Sequence, residues 1–287
     1  MPIVSMKNML QTAREGRYAV GQFNVNSLEF AQAFLLAAEE ESSPVILGVT
    51  EAAVRHLGGY ALIAASVREL IKEYEVTVPV ALHLDHSSSF EVCARAIHAG
   101  FSSVMIDGSH LPLSDNIAIT SKVVSVAHAL GASVEAEIGR ITGEEDGIVV
   151  EESLGTFAAA KDCEHFMLET QVDCLAPALG SVHGRYKGEP QLQFDLLADI
   201  VRLTDVPCAL HGGTGIPTDD IRKAISLGIC KINVNTENQM LYTKVLRNTL
   251  AEEADLYEVQ RYSRQARDAV KAGVKQKMRE FGSSHQV

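Results

Sequence analysis

The chain has 287 residues, 46% hydrophobic and 22% charged, a length that suits one large domain. Twenty-five Lys and Arg against 37 Asp and Glu leave a formal charge of −12, which argues against nucleic acid or an anionic membrane as a partner. Trp is absent and aromatics are only 6%, too few for a stacking platform for bases or sugars.

The opening residues, MPIVSMKNML, contain no apolar core of signal-peptide length, and no apolar run reaches the roughly 18 residues that would span a bilayer. From residue 21 onward, short β-rich runs alternate with helical stretches. GQFNV (21–25) precedes 28–41, where Phe30, Ala31, Phe34, Leu35 and Ala38 recur at helical spacing behind a cap-like Asn26…Glu29 start. PVILGVT (44–50) leads to a helix at 61–73, PVALHLDH (79–86) to one at 90–99, and SVMIDGS (103–109) to one at 115–130. SVEAEIG (133–139) is followed by the longest irregular stretch, 140–160, and then a helix at 161–170. CLAPALG (174–180) leads to 193–203, PCALHGG (207–213) to 218–227, and KINVNTE (231–237) to a long amphipathic tail over 244–281.

Each run is apolar at nearly every position, as a parallel strand covered on both faces must be. Eight strand–helix pairs without a Pro/Gly/Ser-rich linker predict an α/β fold: a closed (β/α)8 TIM barrel, one domain over 1–287, with extra C-terminal helices. The rival, an open doubly wound sheet, would carry a Gly-rich dinucleotide loop after an early strand, and none is present. Cys93, Cys163, Cys174, Cys208 and Cys230 are odd in number and form no C-x-x-C pair, so reduced thiols and a cytoplasmic location are expected.

In such barrels chemistry collects at the C-terminal ends of the strands. His86, His183 and His211 all fall there, and three imidazoles with an open fourth position make a catalytic zinc arrangement. His83, two residues earlier, is expected to lie deeper. Asp85 and His86 are adjacent, so both face inward only if the regular strand ends between them and the loop. The stretch His211-Gly212-Gly213-Thr214-Gly215 lets backbone N–H groups approach an anion, with Thr214 adding a hydroxyl, Asn233 and Thr236 completing the cradle, and Gly184 and Lys187 adding an N–H and a positive charge.

LHLDH, SSVMIDGSH, VEAEIG…GEEDG, LGSVHG-x-YKGEP, LHGGTGIP and KINVNTEN, in this order and across essentially the whole chain, resemble class II (zinc-dependent) fructose-bisphosphate aldolases and their close relatives. The resemblance implies that His86, His183 and His211 bind the zinc and that Asp85 is the acid/base at the hydroxyl of the cleaved bond. It assigns Asp107 and Glu137 to a second metal location, and Glu145 to proton exchange at the enediolate carbon. Gly184, Gly212, Thr214, Asn233, Asn235 and Thr236, with Lys187 and Gly213 nearby, would hold dihydroxyacetone phosphate. Asn24 and Thr50 would make lesser substrate contacts. A monovalent cation (Na+ or K+) near the phosphate and a homodimer or homotetramer formed through the C-terminal helices are also implied. Splitting a C–C bond beside a ketone leaves a carbanion, which a zinc Lewis acid stabilises. The alternative, a lysine imine, needs a lysine deep in the barrel; strand 6 has none, and Lys231 is placed at the wrong end of strand 8.

The chain departs from the family pattern at Tyr257-Glu258-Val259-Gln260-Arg261-Tyr262, where Gln260 stands for an arginine that reaches the far phosphate in a neighbouring subunit. The strand-5 loop reads Gly139-Arg140-Ile141-Thr142-Gly143, where the fructose-bisphosphate enzymes tend to have a Thr and paired glycines, and Ser87 replaces a glycine common after the Asp-His pair. Gln cannot form the charged fork of a guanidinium, and Arg261 and Arg264 are the candidates to replace it. Fructose 1,6-bisphosphate is therefore weighed against tagatose 1,6-bisphosphate, a phosphorylated dehydro-deoxy-gluconate and a ketose 1-phosphate. Readings of another class are a non-catalytic sugar-phosphate sensor and a metal-dependent hydrolase. The first would be expected to lose Asp85 or a histidine, and the second often opens with H-x-H on strand 1, where this chain has GQFNV.

Overall fold

The computed structural model describes residues 3–145 and 148–287, and the side chains of Glu145 and Ile148 lie outside the described residues. Eight strands close the expected barrel: β1 (Val20–Asn24), β2 (Val45–Thr50), β3 (Val80–Ser87), β4 (Ser103–Ile106), β5 (Ser133–Ile138), β8 (Cys174–Pro177), β10 (Cys208–Leu210) and β11 (Ile229–Val234). They pair in parallel in the order β1-β11-β10-β8-β5-β4-β3-β2. Three further strands, β6 (Thr142–Glu145), β7 (Ile148–Val150) and β9 (Val182–His183), make a small sheet ordered β7-β6-β9 beside the mouth. The stretch expected to be irregular is thus partly ordered, because β6 finds backbone partners in the loop after β8.

Helices α2 (Leu28–Glu40), α3 (Glu51–His56), α4 (Tyr60–Glu73), α5 (Phe90–Ala99), α6 (Leu113–Ala129), α7 (Ala160–Thr170), α8 (Phe194–Thr204) and α9 (Thr218–Ser226) form the outer layer. They pack on outward-facing Leu82, Leu84, Val104, Val134, Leu175, Leu210 and Ile232. Inside, the floor is apolar: Val20, Ile46, Ala81, Cys174, Ala176, Ala209 and Cys230 meet Met6, Met9, Leu10 and Ala13 of α1 (Met6–Gly16). That helix, which was not among the expected elements, closes the barrel's N-terminal end. Its apolar residues recur at i, i+3, i+4 and i+7, and Ser5 Oγ caps it by accepting the Lys7 N–H at 3.2 Å. Above this floor the buried interior turns polar, with Gln22, Asn24, His83, Asp85, Ser103, Glu135, Lys231 and Asn233.

The long tail is two helices, α10 (Thr236–Glu252) and α11 (Val259–Glu280). The first begins directly after β11, so Thr236 and Glu237 start a helix rather than end a strand. Buried Ala266, Val270, Val274 and Met278 mark the apolar stripe of α11, whose last turn is tied to the end of α2. There Arg279 donates to both oxygens of Glu41, at 2.9 and 2.6 Å, with Ser284 Oγ at 2.9 Å. The Arg279 guanidinium outweighs burial and holds the Glu41 carboxyl at about 2, against an ordinary 4.5. A depressed carboxyl contributes stability that is complete above the ordinary value and is lost as pH falls towards the folded one. Glu41→Gln is therefore expected to lower Tm by a few degrees at pH 7, with the two proteins converging between pH 4.5 and 2. Melting curves over that range check this; parallel curves would remove Glu41 from the account.

Candidate active site

The mouth is built by irregularities at strand ends. His86 takes φ +47°, and the β3–β4 register shifts between Leu84 and Ser87. A left-handed residue costs a non-glycine side chain on the order of 1 kcal/mol or more, and here it brings both Asp85 and His86 into the mouth. The strand continues to Ser87, so a kink within it, rather than its end, removes the conflict between adjacent residues.

His86, His183 and His211 converge: one nitrogen from each lies within 4.8 Å of the others. Ring centroids are 5.0 Å (His86–His183), 4.8 Å (His86–His211) and 5.8 Å (His183–His211). Acidic partners select the tautomers. Asp107 Oδ2 lies 3.0 Å from His86 Nδ1, and Glu135 Oε1 lies 2.7 Å from His211 Nε2. Carboxylates only accept, so those ring nitrogens donate. The lone pairs of His86 Nε2 and His211 Nδ1 then point at each other across 2.9 Å, an arrangement that calls for an electrophile between them. Burial also pushes His183 and His211 below the ordinary imidazole value, so both are neutral. Neutral imidazoles oriented by carboxylates fit a zinc ion.

A second group joins His86 to Asp107 and Glu137, again within 4.8 Å. Burial, reinforced by Asp107, drives the Glu137 carboxyl well above the ordinary value, and Glu137 Oε2 has no hydrogen-bond partner among the described residues. A buried carboxyl and a half-buried one beside an imidazole suit a cation. Asp85 is fully buried; its Oδ2 accepts from Asn24 Nδ2 at 2.8 Å, while Oδ1 has no partner among the described residues.

Two cavities meet over this cluster, sharing Gly143, Val150 and His183. One, of about 1020 Å3, is lined by Gly184, Lys187, Asn235 and Thr236. The other, of about 400 Å3, is lined by Thr50, Arg55, His86, Asp107, Glu137 and Arg140. Asp85, Asn24, His211 and Asn233 lie beneath and line neither. Glu145 belongs to β6 at the rim, but its side chain lies outside the described residues.

The glycine-rich turn differs from a row of open donors. Gly213 N–H donates to Asn233 O at 2.9 Å, and Thr214 Oγ1 accepts from Glu237 N at 3.3 Å at the start of α10. Gly212 (φ +66°) is needed for close approach, since a Cβ there would meet Val182 O at 2.2 Å; at Gly143 (φ +108°) it would meet His183 O at 2.1 Å. The two glycines clasp β9, the strand that presents His183. Tyr186, absent from the sequence reading, braces the same place by accepting from Val182 N at 3.2 Å and donating to Gly212 O at 3.1 Å, and burial pushes its phenol up to about 12.

Of two more residues, sequence reading puts one, Glu135, at the end of strand 5 without a role and misplaces the other. Glu135, fully buried, orients His211; its signal was an acid two positions before Glu137 on one face of an otherwise apolar strand. Lys231 is not at the wrong end of its strand. Pairing of β10 with β11 skips from Cys208↔Ile229 to Ala209↔Lys231, a bulge that turns Cys230 and Lys231 both inward. Lys231 is fully buried, 3.0 Å from Glu135.

A profile of the family described as fructose-bisphosphate aldolase class-II matches residues 4–286. The chain is 59% identical over 287 residues to the "Probable fructose-bisphosphate aldolase" of Bacillus subtilis (strain 168), covering 100% of both. It is 57% identical over 284 residues to the "Fructose-bisphosphate aldolase" of Geobacillus stearothermophilus, covering 99% of this chain and 98% of that one. Among solved structures, the YdjI aldolase from Escherichia coli K12 superposes with TM-score 0.84 at 30% identity over 99% of this chain and 98% of the other. A putative fructose-1,6-biphosphate aldolase from Coccidioides immitis gives TM-score 0.88 at 31% identity over 97% and 96%. The barrel with its metal-ready histidines is that of an aldolase, a carbon–carbon lyase acting on sugar phosphates. The chain belongs to the class-II fructose-bisphosphate aldolase family, a class whose members are generally zinc-dependent. Among the described residues no helix is long and apolar enough to cross a membrane.

Proposed function

We propose that this chain reversibly cleaves fructose 1,6-bisphosphate to dihydroxyacetone phosphate and glyceraldehyde 3-phosphate, using zinc held by His86, His183 and His211. The observation that carries the substrate is the pair of cavities meeting over the histidines, each with cations: Lys187 in one, Arg55 and Arg140 in the other. A substrate anionic at both ends suits that layout. Arg55 leans on Glu51 at 3.8 Å, whereas Arg140 pairs with no carboxylate among the described residues. Gln260 favours the second reading, a ketose carrying one phosphate, and Arg261 offers no replacement because Glu253 and Glu258 hold it at 2.8 and 3.3 Å.

When bound, zinc would supply the Lewis acidity that polarises the ketone and takes up the charge left by C–C cleavage. Asp85 takes the proton from the hydroxyl of the bond being broken, with Asn24 holding Oδ2 so that Oδ1 faces the substrate. Glu145 exchanges the proton at the resulting carbon. Gly184, Lys187, Asn235 and Thr236 hold the dihydroxyacetone phosphate end in the larger cavity, with a monovalent cation beside it. Gly212, Gly213, Thr214 and Asn233, which line neither cavity, complete the phosphate cradle from beneath, and Thr50 lines the aldehyde side. Asp107 and Glu137 give the metal a second location. We also place the chain in the cytoplasm, consistent with its free, buried cysteines, as a homodimer or homotetramer joined through α10 and α11, near which Met240, Leu250, Tyr257 and Val259 are exposed.

Steady-state kinetics with ketose mono- and bisphosphates test the substrate. Arg140→Ala is expected to raise KM for fructose 1,6-bisphosphate roughly 10-fold or more, the scale of a lost charged hydrogen bond, and to leave fructose 1-phosphate nearly unchanged. A wild-type preference for the monophosphate would overturn the bisphosphate reading.

A further inference from the structure

We propose that Lys231 is a positioning residue that fixes two things at once: the carboxylate that orients His211, and the amide face that Asn233 turns towards the mouth. The proposal rests on the zinc reading above but concerns residues beneath the site.

Lys231 Nζ lies 3.1 and 3.0 Å from the two oxygens of Glu135 and donates to Asn233 Oδ1 at 2.6 Å. An ammonium has three donors and no acceptor, so each group that touches it must offer an oxygen. Glu135 therefore keeps one edge on Lys231 while Oε1 also takes the His211 Nε2–H at 2.7 Å. That leaves His211 Nδ1 without a proton, its lone pair turned towards His86 Nε2 at 2.9 Å. Asn233 has its oxygen committed downward, so its NH2 faces upward, where Nδ2 lies 3.4 Å from His211 Nδ1. A substrate hydroxyl or carbonyl oxygen near the three imidazoles would meet a donor there.

Burying an ion pair is a poor way to gain stability, because desolvation offsets most of the attraction. A bulge spent on turning Lys231 inward, at a level where the floor below is apolar, points instead to positional work. The same contacts argue against an imine role. The ammonium is held by a carboxylate and an amide beneath the histidines, and Lys231 lines neither mouth cavity.

The test uses Lys231→Met, and a double variant, Glu135→Gln with Lys231→Met, which leaves no buried charge unpaired if the single variant does not fold. Zinc affinity of the metal-stripped full chain, measured by competition with a chromogenic chelator, needs no substrate. It should weaken about 10–100-fold in either variant, the usual scale for losing an outer partner of a metal-bound histidine. At saturating zinc, KM for the sugar phosphate should rise, and adding Asn233→Ala should raise it no further. A folded variant with native zinc affinity and native KM would overturn the proposal. So would a borohydride-trapped dihydroxyacetone phosphate adduct on Lys231. Failure of the wild-type protein to cleave any ketose phosphate would sink the aldolase reading while the zinc measurement still judged Lys231.

Discussion

Asp85→Ala is expected to lower kcat for ketose-phosphate cleavage about 10^3–10^4-fold while zinc is retained, the range over which a positioned acid/base contributes. The expectation follows from where the side chain sits. Asp85 is fully buried beside the three histidines but does not belong to either group of metal-ready side chains. One oxygen is occupied by Asn24 and the other has no partner among the described residues, an unsatisfied buried acceptor that a substrate hydroxyl would fill. Removing it deletes a proton acceptor without touching a metal ligand. Asn24→Ala should cost less, since it loosens the carboxylate and leaves it present. Stopped-turnover assays on zinc-loaded variants, with metal content measured on the same samples, decide the matter. Near-wild-type kcat in Asp85→Ala would strip the residue of its proposed role.

His211→Ala should be at least as damaging, by a different route. One of three nitrogens is lost, and zinc affinity is expected to fall by roughly 10^2–10^3-fold, as structural-site affinities shared over a few ligands imply. Chelator-treated wild-type enzyme should recover on adding micromolar zinc, and the variant should not. The substitution also strips Glu135 of its imidazole partner in a fully buried setting, so Tm should drop even without metal. Zinc retained at native affinity by His211→Ala would mean that the ion is held elsewhere, the group of His86, Asp107 and Glu137 being the next place to look.

Much of this architecture was readable in one dimension. Near-continuous apolar runs such as PVILGVT and PVALHLDH can only be strands covered on both faces, and their eightfold alternation with amphipathic stretches leaves little besides a closed barrel. His86 and His211 were legible for the same reason, since a strand's end is set by local composition, whereas His183 lies on β9, beyond the end of β8. Helix α1 was missed although its apolar spacing was present, because the residues it covers, from Val20 to Cys230, are scattered along the chain.

Sequence alone determined the barrel, the identity of the metal-ready histidines and the neighbourhood of Asp85, because each depends on residue type and on order along the chain. Only the tertiary structure decided how they face one another. The left-handed turn at His86, the bulge at Cys230 and the clasp of Gly143 and Gly212 on the strand of His183 are all one-residue events in backbone pairing. A shift of one residue reverses which side of a strand a group presents, and no composition or periodicity records where the shift falls. That is why Lys231 looked remote in the sequence and lies under the catalytic mouth in the fold.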